Sequence, residues 1–99
     1  MIGCDIVKIS RFKKNLEKLK NRILTVSEQE EFNNTSNKLE YIAGRWAAKE
    51  AIFKAVGKLS KLSILKNKQG APYVVGRPDI KLSISHEKEY CISVAIIYE

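Results

Sequence analysis

The chain has 99 residues, 44% hydrophobic and 29% charged, with a formal net charge of +7. That balance excludes a disordered polar chain, and no apolar run approaches the roughly 18 residues needed to span a bilayer. Residues 1–99 therefore read as a single small domain, in which modest burial makes association between copies a natural source of extra stability.

Ile2-Gly3-Cys4-Asp5-Ile6-Val7 reads as a short apolar strand. Asp5 is its only charged side chain. If buried, it needs a cation, a metal or dense hydrogen bonding; the alternative is a place at the strand end facing water. Residues 8–22 then carry seven cations against Glu17 alone, a net of +6 out of the total +7. From there Ile9, Phe12, Leu16, Leu19 and, just past that segment, Ile23 recur at intervals of three and four, which predicts an amphipathic helix over about 10–20. Its polar face is a basic patch suited to an acidic partner. Nucleic acid is the other standard partner of such a patch, and a merely solubilising face is the plain alternative. The basic stretch follows the first strand, unlike a secretory signal, so a cytoplasmic protein is expected.

Ser27-x-x-Glu30 has the spacing of a capping box and predicts a short helix. Asn33 to Asn37 form a polar break. Asn37, with Glu40 three residues on, caps a long helix that runs to about Val56 and ends at Gly57. Short strands are predicted at about 62–66 and 71–75, and longer ones at about 80–85 and 90–98, the last apolar enough for a well-buried strand. Asn67–Gly70 and Gly76-Arg77-Pro78-Asp79 are the turns between them. Cys4 and Cys91 lie in strands, have no metal-ligand spacing and read as small buried thiols. The predicted class is α+β, with an antiparallel sheet packed against a long helix.

On the long helix, Trp46, Glu50 and Lys54 stack at successive turns. Ala43, Ala47 and Ala51 form a neighbouring row that would let another backbone approach closely. A carboxylate flanked by cations there can present a metal and phosphates together; an ordinary solvated Glu–Lys pair is the alternative. His86, the only histidine, falls where a strand meets a turn. A lone histidine is more often a hydrogen-bonded surface residue than a catalytic one.

Gly3-x-Asp5 with Arg11 six residues on, Gly44-Arg45-Trp46-Ala47-Ala48-Lys49-Glu50-Ala51 with Lys54, and Ser83-x-Ser85-His86 together resemble the holo-acyl-carrier-protein synthase family, the small 4'-phosphopantetheinyl transferases. Arg22-Ile23-Leu24-Thr25 followed by Ser27-Glu28, and Gly70-x-Pro72-Tyr73, extend the resemblance over nearly the whole chain. It implies transfer of the phosphopantetheine arm of coenzyme A to a serine of apo acyl carrier protein, in support of fatty acid or lipid biosynthesis. It implies Mg2+ held by Asp5 and Glu50, and catalytic roles for Glu50, Lys54 and His86. It further implies coenzyme A contacts from Arg45, Lys49, Lys54, Ser85 and His86, and carrier-protein contacts from Arg11 and Lys14. A homotrimer with active sites shared between subunits is also implied, as is the first strand joining the sheet.

Three positions depart from the family. The loop Gly57-Lys58-Leu59-Ser60-Lys61-Leu62 is abbreviated, Ala71 stands where a basic residue is usual, and Glu87 follows the histidine where a hydroxyl is common. The competing function is a small basic nucleic-acid-binding module, which would leave Asp5 and the Glu50 constellation without a role.

Overall fold

The structure, a computed structural model, describes residues 1–58 and 61–98. Strand β1 (Ile2–Lys8) leads into a 3-10 turn (Ile9–Phe12), helices α1 (Leu16–Ile23) and α2 (Val26–Asn33), and the 19-residue helix α3 (Lys38–Val56). Among the described residues four strands follow: β2 (Ile64–Lys66), β3 (Pro72–Val74), β4 (Ile80–His86) and β5 (Tyr90–Ile97). The main sheet is antiparallel, in the order β1-β5-β4, while β2 and β3 pair with each other. The α+β class, the long helix against the sheet and the entry of the first strand into it are as expected from the sequence.

Helix α3 is bounded by the two residues its caps predict. The Asn37 side chain accepts the Glu40 N–H at 3.1 Å. Gly57 turns left-handed, with φ 77°, and donates its N–H to the Phe53 carbonyl at 2.7 Å. Between those ends the helix is covered on both sides. Val7, Phe12, Leu24, Phe32 and Ile42 form one apolar cluster with it, and Ile52, Ile64, Val74, Ile80 and Ile97 form another. Burying Phe32 and Ile42, each almost fully enclosed, contributes about 1.5–3 kcal/mol apiece.

The alanine row works as its spacing suggests. Ala43, Ala47 and Ala51 are fully buried, and β1 lies directly on the helix there. A Cβ added to Gly3 would overlap the Ala51 carbonyl oxygen and come within 2.8 Å of the Ala55 nitrogen. No residue but glycine fits at this crossing without moving one backbone off the other.

Several expectations are corrected. The helix predicted over 10–20 is broken at Asn15, which adopts a left-handed φ of 61°; asparagine tolerates that region better than most residues. The first part stays with the sheet because Ile9 donates its N–H to the Glu89 carbonyl at 2.8 Å. The capping box is formed by Thr25 and Glu28, not by Ser27 and Glu30. The Glu28 carboxylate serves the Thr25 N–H at 2.9 Å and the Ile64 N–H at 2.7 Å. Cys91 is buried, but Cys4 is exposed, because alternation along β1 turns Gly3, Asp5 and Val7 towards α3 and Cys4 away from it. The last strand is buried on one face only, leaving Ile92 and Ile96 on the other. The shortened loop after Gly57 falls partly outside the described residues.

Gly3→Ala is expected to destabilise the fold by about 3 kcal/mol or more, because backbone rather than a movable side chain fills the space. Urea unfolding of the two proteins measures it, and a loss below 1 kcal/mol would contradict the close approach.

Candidate active site

Asp5 reaches the site because β1 places it two residues after Gly3, on the same face. Its side chain is 14% exposed, and its Oδ1 accepts a hydrogen bond from Lys54 Nζ at 2.9 Å. Asp5 is thus part-buried, between the two alternatives, with a cation as its partner. That hydrogen bond, followed by the Asp5 charge, raises the Lys54 pKa, and Glu50 adds to the same effect. The ammonium is 55% exposed and stays charged at neutral pH.

Glu50 sits one turn before Lys54, half-buried, on the wall of a cleft of about 600 Å³. Arg11, Arg22, Trp46, Lys49 and Lys61 share that wall. The cleft is thus cationic apart from Glu50, which makes no ion pair among the described residues. No three acidic, histidine or cysteine side chains converge as a closed metal cage among the described residues. Asp5 and Glu50 are two oxygen donors that both act on the Lys54 ammonium, an arrangement open to a hard cation and its outer ligands.

Lys49 points into the fold. Its Nζ donates to Glu28 Oε1 at 2.7 Å and to the Ile23 carbonyl at 2.8 Å. Glu28 is fully buried, so one carboxylate ties α2, α3 and β2 together. Removing one member of such a pair costs about 3–5 kcal/mol, since the other charge stays buried.

His86, Arg45 and Glu40 lie elsewhere on the monomer. They line a second cleft of about 210 Å³ with Tyr41, Lys66 and Gly44. His86 Nδ1 is 3.1 Å from Glu40 Oε2. Arg45 is buried; its Nε donates to the Ile64 carbonyl at 2.8 Å and its Nη2 to Glu31 Oε1 at 3.2 Å. Its guanidinium also stacks over Tyr41, 4.3 Å from the ring centroid. Glu40 precedes Glu50 by ten helical residues, about 15 Å along the axis, so one chain does not bring His86 to Asp5. Ser85 projects to the opposite face of the sheet from Ile84 and is exposed there. Arg11 joins the first cleft, whereas Lys14 stands exposed on the turn before Asn15.

Sequence reasoning missed Glu28, Glu31 and Glu40 as the partners of the site cations. The Thr25-x-x-Glu28 spacing carried the signal for the first; Glu31 and Glu40 became visible only with the packing of α2 and β4 on α3.

Comparison with known proteins matches residues 1–95 to the 4'-phosphopantetheinyl transferase superfamily. A holo-[acyl-carrier-protein] synthase from Oceanobacillus iheyensis is 40% identical over 111 residues, covering 97% of this chain and 93% of the relative. The crystal structure of a holo-(acyl-carrier-protein) synthase from Bacillus anthracis in complex with CoA (3',5'-ADP) has a TM-score of 0.86 and 33% identity, covering 97% of this chain and 93% of its own. The structure of a holo-[acyl-carrier-protein] synthase from Neisseria meningitidis has a TM-score of 0.88 and 29% identity, covering 99% of this chain and 97% of its own.

Three groups make the fold sensitive to alkali. Burial raises the Cys91 pKa from 9.0 to about 11. Burial, then the hydrogen bond to Glu31, raises that of Tyr41 well above 10.0. Lys54 is raised above 10.5 by Asp5. In each case the unfolded chain loses its proton first as pH rises, so the folded state holds more protons and stability falls with pH. The Lys54 contribution is fully present below its unfolded value and is lost as pH passes the raised one. The urea midpoint should decline above about pH 9, and less steeply in Tyr41→Phe, a comparison that separates the phenol from the general loss of lysine charge. Equal slopes in the two proteins would contradict the role given to Tyr41.

Proposed function

The chain belongs to the 4'-phosphopantetheinyl transferase superfamily, and we propose that Asp5, Glu50 and Lys54 are the centre at which it carries out that family's reaction. The protein is a transferase that moves the 4'-phosphopantetheine arm of coenzyme A to a serine of apo acyl carrier protein. The serine oxygen forms a bond to the phosphorus that bears the arm. The bond from that phosphorus to the bridging pyrophosphate oxygen breaks, and adenosine 3',5'-bisphosphate leaves. The observation that carries this reading is the convergence of a strand carboxylate and a helix lysine, 2.9 Å apart, one turn from a second carboxylate in a cationic cleft.

Asp5 and Glu50 suit magnesium, which takes one or two protein carboxylates and leaves its other positions to phosphate and water. When bound, magnesium neutralises charge on the pyrophosphate oxygens. Lys54 has three donors, gives one to Asp5, and directs the remainder at charge that develops on the leaving side. Glu50 is the better candidate of the two carboxylates to help deprotonate the serine, directly or through a water. Arg45 and His86 line the second cleft and serve the phosphates at the nucleotide end of coenzyme A. Lys49, tied to Glu28, lends its charge to the first cleft, and Ser85 meets the nucleotide from the outer face of the sheet. Arg11 and Lys14 face the acidic carrier.

The two clefts are brought into one site by assembly. The sheet face away from α3 exposes Ile2 (68%), Ile6 (63%), Ile92 (38%) and Ile96 (39%). They are cross-strand neighbours, with Ile2 opposite Ile96 and Ile6 opposite Ile92. A contiguous apolar patch of this kind marks an association surface. The assembly is a homotrimer in which one subunit supplies Asp5 and Glu50 and its neighbour supplies His86 and Arg45. No described helix is long and apolar enough to cross a membrane. We place the protein in the cytoplasm, activating carrier protein for fatty acid or lipid synthesis.

Mass spectrometry of an apo carrier protein, after incubation with coenzyme A and magnesium, should show the mass of one phosphopantetheine added. Asp5→Ala and Glu50→Ala should each lower the rate by about a hundredfold or more while leaving circular dichroism unchanged. Full turnover by either variant at low magnesium would remove that residue from the centre.

Ile96→Lys should abolish both assembly and transfer, and leave the monomer folded because the side chain faces away from the core. Sedimentation checks this. A parent that sediments as an 11.3 kDa monomer and is fully active would overturn the shared site.

A further inference from the structure

We propose that Trp46 is a positioning residue for carrier docking, holding Arg11 in the orientation that meets an acidic surface beside Glu50. This rests on the transferase reading above and deepens it. Arg11 is exposed in the 3-10 turn Ile9–Phe12 that follows β1. A free arginine there would have to surrender the rotamer freedom of a long side chain each time an anion bound. Here its Cζ lies 5.4 Å from the centroid of the Trp46 ring. A guanidinium over the face of an indole is attracted by the ring and keeps N–H groups free for a carboxylate.

The indole is itself fixed. Phe12, 3% exposed, meets it edge-on with ring centroids 6.2 Å apart and planes at 62°. Trp46 is only partly buried against the apolar cluster, so it supports the core and still presents a face to Arg11. It also stands one turn before Glu50, and Arg11, Trp46 and Glu50 wall the same cleft. The contact that seats the carrier and the carboxylate that serves its serine are thus set by one rigid helix. A core role alone would be met equally by a large aliphatic side chain; the stack on Arg11 would not.

The test is a double-mutant cycle of Trp46→Leu and Arg11→Met on the intact protein, with Trp46→Phe as the conservative variant. Apo acyl carrier protein and coenzyme A are varied separately, and product is read by mass. Trp46→Leu should raise the KM for carrier by about fivefold and leave the KM for coenzyme A within about twofold. Trp46→Phe should recover most of the difference, since a benzene face still holds a guanidinium. Arg11→Met should raise the KM for carrier at least as much as Trp46→Leu, and the double variant should be no worse than Arg11→Met alone. Trp46 is the only tryptophan, so the parent's fluorescence should also change on adding apo carrier and not on adding coenzyme A. Additive losses, an unchanged carrier KM in Trp46→Leu, or an equal rise in both KM values would overturn the proposal while leaving the transferase reading intact. Should the leucine variant fail to fold, the same comparison between Trp46→Phe and the parent, with and without Arg11→Met, tests the coupling: independent effects sink it. A parent that modifies no apo carrier would overturn both readings together.

Discussion

Strand β1 can lie on helix α3 only where neither carries a side chain between the two backbones. Gly3 and Ala51 meet that condition, and Ala43, Ala47 and Ala55 keep the rest of the crossing narrow. Everything chemical on this strand follows from the contact. A residue two positions beyond Gly3 on the same face must project along the helix surface, and there Asp5 finds Lys54 at 2.9 Å. A bulkier crossing would lift the carboxylate away from the helix and leave it desolvated without a partner, the costly case. Close packing therefore precedes the charge pair and permits it.

A second framework holds the other side of α3 with charges of its own. Glu28 binds Lys49 and the start of β2; Glu31 binds Arg45, Tyr41 and the Lys66 N–H. Hydrophobic residues of similar volume would give comparable stability. What carboxylates add is direction: each receives specific N–H groups from two or three elements, so the short β2–β3 hairpin, too small to be stable alone, is fixed against the helix in one register. This framework orients Arg45 on the wall of the second cleft and ties the Lys49 ammonium to Glu28.

Features set by local chemistry were legible in the sequence. Asn37 and Gly57 mark the ends of α3, the alanine row marks its close-packed face, and the alternation of Leu82 and Ile84 with Ser83 and Ser85 marks β4. Gly3-x-Asp5 and the Glu50–Lys54 spacing marked residues of which the fold brings Asp5 and Lys54 together at 2.9 Å. The features that were not legible depend on contacts distant in sequence. Thr25 won the cap over Ser27 because Glu28 also serves Ile64, 36 residues away. The break at Asn15 arises where the chain leaves the sheet edge for the helix layer, and apolar spacing alone runs through it. Cys4 and Ile96 looked buried because apolar alternation on a two-sided strand shows which residues share a face, not which face meets the core. That His86 meets Glu40, about 15 Å along α3 from Glu50, could not be read from a linear string in which both His86 and Glu50 belong to recognisable motifs.

The distribution of charge links these layers. Six of the seven net positive charges lie on residues 8–22, the segment that joins β1 to α2 and forms one wall of the cleft holding Glu50. Clustered like charges repel and add nothing to folding stability; of the seven cations Arg11 and Arg22 line the cleft itself, and the lysines lie around them on the same segment. Under the proposed function an acidic carrier would be drawn to the cleft from beyond contact range, with screening confining that pull to roughly 8 Å at physiological ionic strength. Within that range the attraction is unspecific, and it becomes chemistry only if the incoming surface is halted in one orientation beside Glu50. Exposed lysines, such as Lys14 on its turn, would supply the pull but not the orientation. A guanidinium held over a ring that is itself wedged by a buried phenylalanine would supply both, and Arg11 is so held, 5.4 Å over Trp46 on the helix that carries Glu50 and Lys54.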